Sequence, residues 1–397
     1  MRAAPREEAA VAAAATKHGF RWGLISAGVL GFCLPLMAAV LPEDRADALF
    51  HAYSGGGLDV NGPSILARKQ LGKWASVFGN YYVDSISSAT IDVETYASPY
   101  TEHREEKTLG GDFLHDKTTF NLSFTNSEES DFSADTLNVG ISQSVFGDLT
   151  TVSLGYGRGW NTVRRNIGGS PDPLFGEKKA YRQNFRLGLS QVLTKNLLMS
   201  LNYELITDEG YLSNPYHSVR FLDSGSVKTQ PEDHPNTHTS HAVGLKALYY
   251  LPYRAALHGE LRGYTDTWGV NGGMFEIGYT HPWRERWIFD AGYRYYGQTA
   301  ADFYSDLYPY ANAQNYLSRD KELSTFNSQT LELAASYEFA RQGWWFIDKG
   351  SLNLAWNHIM FDYKDFRDAR VDTVPPGTEP LYGFSADVFR LFVSVWY

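Results

Sequence analysis

From about residue 45 onward, apolar and polar side chains alternate with a period of two, and no segment holds a sustained helical period. Phe120, Leu122 and Phe124 alternate with Asn121, Ser123 and Thr125. Leu137, Val139 and Ile141 alternate with Asn138, Gly140 and Ser142, and Val152, Leu154 and Tyr156 with Ser153, Gly155 and Gly157. Successive side chains of a strand point to opposite faces, so each such segment is a strand with one apolar and one polar face. The chain is therefore all-β. A mean hydropathy of −0.34 excludes a bundle of membrane helices, which needs several long apolar runs.

Alternation alone does not separate a soluble sandwich from a membrane barrel. In a sandwich the apolar face meets another sheet; in a membrane barrel it meets lipid and the polar face lines the lumen. Connections separate them better. Tight turns fall near Gly72-Lys73, Asp116-Lys117, Phe146-Gly147-Asp148, Thr194-Lys195-Asn196 and Pro252-Tyr253-Arg254. Longer polar connections at 84–107, 126–135, 161–179, 209–236, 298–325 and 364–381 read as strictly alternating with them. That asymmetry predicts a transmembrane, antiparallel, up-and-down β-barrel with short periplasmic turns and long external loops. Counting from Ala46–Ser54, Ser64–Leu71 and Trp74–Val83 to 382–397 gives about sixteen strands, with fourteen or eighteen open. Aromatics at 15% suit girdles at the two membrane interfaces.

The last segment carries Phe389, Leu391, Val393, Val395 and Tyr397 at alternate positions. An alternating apolar strand closing on an aromatic resembles the signal read by the barrel-assembly machinery. At the other end, Arg2, Arg6, Lys17 and Arg21 precede an apolar stretch from Trp22 to Val40 that ends on Ala38 and Ala39. This is the pattern of a signal peptide over 1–39, followed by a barrel over 40–397. Pro35 interrupts the stretch and argues against a transmembrane anchor. The only cysteine, Cys33, falls inside the signal, so the mature chain has no disulfide, Cys-attached haem, iron–sulfur cluster or Cys-based zinc site. No cofactor is expected. Cleavage removes four Lys/Arg and two Asp/Glu and moves the net charge from −10 to −12, a poor balance for nucleic-acid binding. Lipid and the assembly machinery are the expected partners, in the bacterial outer membrane.

Several stretches resemble one bacterial family. They are Leu41-Pro-Glu-Asp-Arg-Ala-Asp, His51-Ala-Tyr-Ser-Gly-Gly-Gly, Gly62-Pro-Ser and Tyr81-Tyr-Val-Asp-Ser-Ile-Ser-Ser-Ala, then Gly188-Leu-Ser-Gln-Val-Leu-Thr-Lys-Asn and Thr207-Asp-Glu-Gly-Tyr-Leu-Ser-Asn-Pro-Tyr. The family is domain of unknown function 3570, and the resemblance runs from about residue 41 to the end. It implies an outer-membrane protein with no established activity and no defined functional residues. It also implies a loose association with thioredoxin-like proteins and a flavin transferase, hence a periplasmic or surface redox partner as an alternative role.

If the alternation holds, Arg186, Glu204, Lys246, His258, Glu260, Arg262, Glu276, Asp290, Arg294, Glu332, Glu338 and Arg390 face the lumen. Charges of both signs on neighbouring strands can select permeating solutes, or can simply satisfy one another. The first long connection, with Asp84, Asp92 and Glu94, is the candidate constriction loop. His234, His238 and His241, beside Glu232 and Asp233, offer donors that suit a transition metal. A polar loop is the commoner origin of such a run, and no metal site is assigned. Asp59-Val-Asn-Gly62 lacks the remaining ligands of a calcium loop. No Gly-x-Ser-x-Gly or other nucleophile signature occurs, so an outer-membrane hydrolase is the least favoured reading. The expected function is a porin-like channel for small polar solutes or ions. Oligomeric state is not legible.

Overall fold

The structure is a computed structural model that describes residues 40–88, 100–167 and 169–397. The signal-peptide reading, Asp92 and Glu94 lie outside the described residues. The chain runs through β1 (Arg45–Gly55), β2 (Leu58–Leu71), β3 (Ala75–Ser88), β4 (Tyr100–His115), β5 (Thr118–Glu128), β6 (Phe132–Val145) and β7 (Thr150–Val163). Then come β8 (Asn166–Ile167), β9 (Ser170–Pro171), β10 (Lys178–Thr194), β11 (Leu197–Gly210), β12 (Ser218–Asp223), β13 (Ser226–Pro231) and β14 (Thr237–Tyr250). The last are β15 (Ala256–Asp266), β16 (Asn271–Trp283), β17 (Trp287–Gln298), β18 (Phe326–Phe339), β19 (Lys349–Arg367) and β20 (Leu381–Trp396). A 3-10 turn, Lys321–Leu323, precedes β18.

All but four strands close into a single antiparallel barrel of sixteen, β20 pairing back onto β1 from Arg45↔Trp396 to Gly55↔Ala386. The exceptions form two small two-stranded sheets in the loops, β8 with β9 and β12 with β13. Closure removes the unpaired edges that an open sheet would expose. The predicted two-faced strands are present. On β5, Phe120, Leu122 and Phe124 remain 44%, 55% and 46% exposed, whereas Asn121 and Ser123 fall to 9% and 3%. An apolar outer wall and a polar inner wall are what a barrel in lipid requires. Exposed aromatics cluster near both rims: Trp74, Phe113, Trp283 and Trp287 at one end, Tyr81, Trp160 and Tyr181 towards the other.

The two ends differ, although less strictly than the sequence suggests. The turn end carries short reversals such as Asp116-Lys117 and Phe146-Gly147-Asp148, where Asp116, Phe146, Gly147 and Asp148 all adopt positive φ. Its exception is 340–348, which is longer. The loop end carries 164–177, 211–236, 299–325 and 368–380. Three connections at that end are nevertheless short: Gly56-Gly57, 129–131 and 267–270. The predicted long connection 126–135 is thus corrected, because β5 runs to Glu128 and β6 starts at Phe132. Likewise β3 and β4 climb through most of 84–107, so Asp84 is a strand residue and not part of a loop. The cause is that strands continue above the apolar band, where both faces are wet and alternation fades.

Candidate functional site: the lumen wall and its cap

Side-chain parity places the predicted lumen residues on the inner wall and the registers bring many of them together. Arg186 and Glu204 oppose each other on β10 and β11 at 3.5 Å. Arg262 of β15 donates to the same carboxylate at 3.1 Å, and Asn184 donates to it at 2.9 Å. Lys246 faces Glu260 across β14 and β15 at 3.8 Å. Glu276 on β16 accepts from Arg294 Nε at 2.7 Å and lies 3.7 Å from His258. Asp290 accepts from Thr280, and Arg390 donates to Asn357 at 2.9 Å. Glu338 lies near the turn end, where Arg341 comes within 3.4 Å. Glu332 sits on β18 opposite Gly292 of β17. The result is a charged arc across β10, β11, β14, β15, β16 and β17.

Sequence reasoning missed two further inner networks. Near the loop end, Arg182 donates to both oxygens of Asp208, at 2.6 and 3.0 Å. His238 bridges Asp208 and Asp266 at 3.4 and 3.1 Å, and Tyr264 donates to Asp266 at 2.8 Å. On the other side, His51 and Asp84 meet at 2.7 Å, with Tyr82 bonded to His51 at 3.1 Å and Arg104 3.3 Å from Asp84. Arg182 shares parity with Arg186, and Asp208 with Glu204. Each lies four residues, two inward-facing positions, further along its strand, so following each alternation that far reaches them. The outer candidates of the assembly signal keep to the lipid side: Phe389 and Leu391 are exposed, and the Tyr397 hydroxyl donates to the Arg68 carbonyl at 3.1 Å.

A second arc of the inner wall is apolar. Tyr53, Leu58, Val60, Ile359, Phe361, Tyr363, Phe366, Tyr382, Ala386 and Val388 form one buried cluster on β1, β2, β19 and β20. Tyr304, from connection 299–325, packs against it and donates to the Asp365 carbonyl at 3.3 Å. That connection therefore folds into the barrel mouth.

The loops at this end form a cap with a core of its own, built from Val219, Phe221, Tyr308 and Leu317. Backbone hydrogen bonds tie them, Leu222 to the Tyr308 carbonyl at 2.9 Å and Leu317 to the Asp233 carbonyl at 2.8 Å. Arg220 reaches across to Glu379 at 2.5 Å and also pairs with Asp306. Arg319 pairs with Asp306 at 3.0 Å, donates to the Arg367 carbonyl at 2.8 Å and covers the Phe366 ring. Burial pushes the Tyr308 phenol up to about 12. Burial alone would raise the Glu379 carboxyl, but the Arg220 hydrogen bond and charge more than offset it and hold it below the ordinary value. Among the described residues, those of three other connections narrow the mouth, while Asp84 stands on the β3 wall beside His51 and Arg104.

The histidine run does not act as one group. His238 joins the inner network above, His241 turns outward to bond Tyr203 at 2.8 Å, and His234 is buried in the cap.

A family model described as "Protein of unknown function (DUF3570)" matches residues 78–348. No curated protein matches the sequence. Among solved structures, a "Bacterial polysaccharide outer membrane secretin" is similar at TM-score 0.48 and 7% identity, over 90% of this chain and 99% of that one. "Outer-membrane expressed OmpT of Vibrio cholerae" gives 0.42 and 8%, over 90% and 100%. The "P. putida toluene transporter TodX" gives 0.40 and 11%, over 91% of each chain. At these scores the likenesses carry no argument about function.

Proposed function

The chain belongs to the DUF3570 family of proteins of unknown function, and we propose that it works in the outer membrane as a porin-like channel for small polar solutes or ions. The observation that carries this reading is accessible charge inside the wall. Arg262 keeps 46% of its side chain exposed although it sits on the inner face, and Arg186 and Glu204 keep 27% each. Inner charges that merely satisfied one another in a packed interior would be desolvated. Charges that stay wet along one arc of the lumen wall give polar solutes a solvated, charged path to follow. The cap narrows the outer mouth, and transport without catalysis is the proposed role.

Single-channel recording in planar bilayers tests it, with folding checked by the mobility shift on heating. The wild type is expected to give discrete conductance steps, more frequent in Arg220→Ala, where the cap is loosened. Glu204→Gln is expected to shift the reversal potential towards anions. No steps from either the folded wild type or folded Arg220→Ala would overturn the reading.

A further inference from the structure

We propose that the cap holds a divalent transition-metal site of His217, Glu232, His234 and Asp320. The donors come from separate pieces of chain. His217 precedes β12, Glu232 and His234 follow β13, and Asp320 caps the 3-10 turn Lys321–Leu323. The potential ligand atoms of His217, Glu232 and Asp320 all lie within 4.8 Å of one another. Glu232 Oε2 is 3.4 Å from His217 Nδ1 and 3.5 Å from His234 Nε2, and Asp320 Oδ2 is 3.8 Å from His217 Nδ1. Ligands bound at about 2.0–2.2 Å in a tetrahedron stand roughly 3.3–3.6 Å apart; the Glu232 separations from both histidines already match this, and Asp320 has to close in from within 4.8 Å.

An independent observation points the same way. The His234 side chain is 6% exposed and that of Glu232 only 1%. Yet both ring nitrogens of His234 and the Oε2 of Glu232 have no hydrogen-bond partner. Buried polar atoms without partners are costly, and a bound cation at this point satisfies Glu232 Oε2 and the His234 Nε2 that stands beside it. The remaining oxygens are already held as an outer shell would hold them. Glu232 Oε1 accepts from Ser318 Oγ at 3.0 Å and from the Arg319 backbone N–H at 2.8 Å. Asp320 Oδ1 accepts from the Glu322 backbone N–H at 3.0 Å, and its Oδ2 lies 3.8 Å from His217 Nδ1. Such contacts orient the ligands. Two imidazoles and two carboxylates suit zinc or a similar first-row dication, whose charge the carboxylates balance. The site does not depend on the barrel conducting. It fastens the β12–β13 loop to connection 299–325.

The test uses the full mature barrel folded in detergent and stripped with a chelator. Titration with Co²⁺ is expected to give one equivalent with the visible absorption of a tetrahedral ion, displaced by Zn²⁺. Zn²⁺ is also expected to slow protease cleavage of the cap. Glu232→Gln and His217→Ala should abolish the spectrum. Ser318→Ala, which removes a partner of Glu232, should weaken binding by about tenfold. His103→Ala, on an exposed part of β4, should leave binding unchanged. His217 is the most exposed of the histidine ligands, so its variant keeps the test open if Glu232→Gln fails to fold. A folded wild type with no Co²⁺ spectrum, or one whose binding survives His217→Ala, would overturn the site.

Discussion

Arg220 lies between carboxylates of two other connections, its side chain 3% exposed and paired with both Asp306 and Glu379. Glu379 is 159 positions away in the chain. No periodicity marks such a pair, because it depends on how three loops meet above the barrel rather than on any local pattern. Removing the guanidinium leaves Glu379 buried without its cation, while Asp306 keeps Arg319, a loss of about 3–5 kcal/mol when a buried pair is broken on one side. The loss falls on the cap, since the barrel strands make their own ladder. Arg220→Ala should therefore speed protease cleavage within 211–236 and 299–325 while the barrel keeps its folded mobility on gels. Arg220→Lys should fall between, because an ammonium cannot reproduce the fork that reaches two carboxylates. Unchanged cleavage in a folded Arg220→Ala would refute this role.

The strands were legible where lipid lies on one side and lumen on the other, and illegible above that band. β4 shows why. From Leu109 to His115 it alternates, but His103, Glu105 and Lys107 project outward from the same strand into solvent, so its start at Tyr100 carries no apolar signal. Charge in Glu102–Lys107 therefore suggested a loop. Gly62 is a second feature that a strand pattern hides. It pairs with His51 on β1, and the β2–β3 register sets it beside Asp84. Lacking a side chain, it lets His51 reach over β2 to Asp84 at 2.7 Å. A Cβ there would stand 1.7 Å from the Val83 carbonyl oxygen. Gly62→Ala must push β2 and β3 apart at that rung, at a cost of about 1–3 kcal/mol. Urea unfolding should show a lower midpoint for Gly62→Ala than for Gly263→Ala, where a Cβ meets nothing within 4 Å. Equal midpoints would mean the rung can relax.

At the scale of the molecule, short turns at one end and a folded cap at the other make the barrel asymmetric, and the cap is pinned by ion pairs that respond to acid. Glu379 is the clearest case outside the membrane span. Burial would raise its carboxyl, but the hydrogen bond and charge of Arg220, with backbone donors, keep it below the ordinary 4.5. Asp368, in the same connection, is lowered chiefly by its hydrogen bond to Arg370. A carboxyl held low in the folded state stabilises that state above its ordinary value, and the contribution is lost as pH falls through the lower folded value. The cap should hence be tight at neutral pH and loosen on acidification below 4.5. The neighbouring charges facing Glu379, Arg220 and Asp306 through it, remain joined by Arg319 from the other side, so the loosening should be partial. Limited pepsin digestion between about pH 5 and 3 reads it directly. Wild-type cleavage within 368–380 should rise across that range. Glu379→Gln should start higher at pH 5 and rise less, having no carboxyl there to protonate. Were the two proteins to show the same rise from the same starting point, the acid response would belong to another group, and Glu379 would be a spectator.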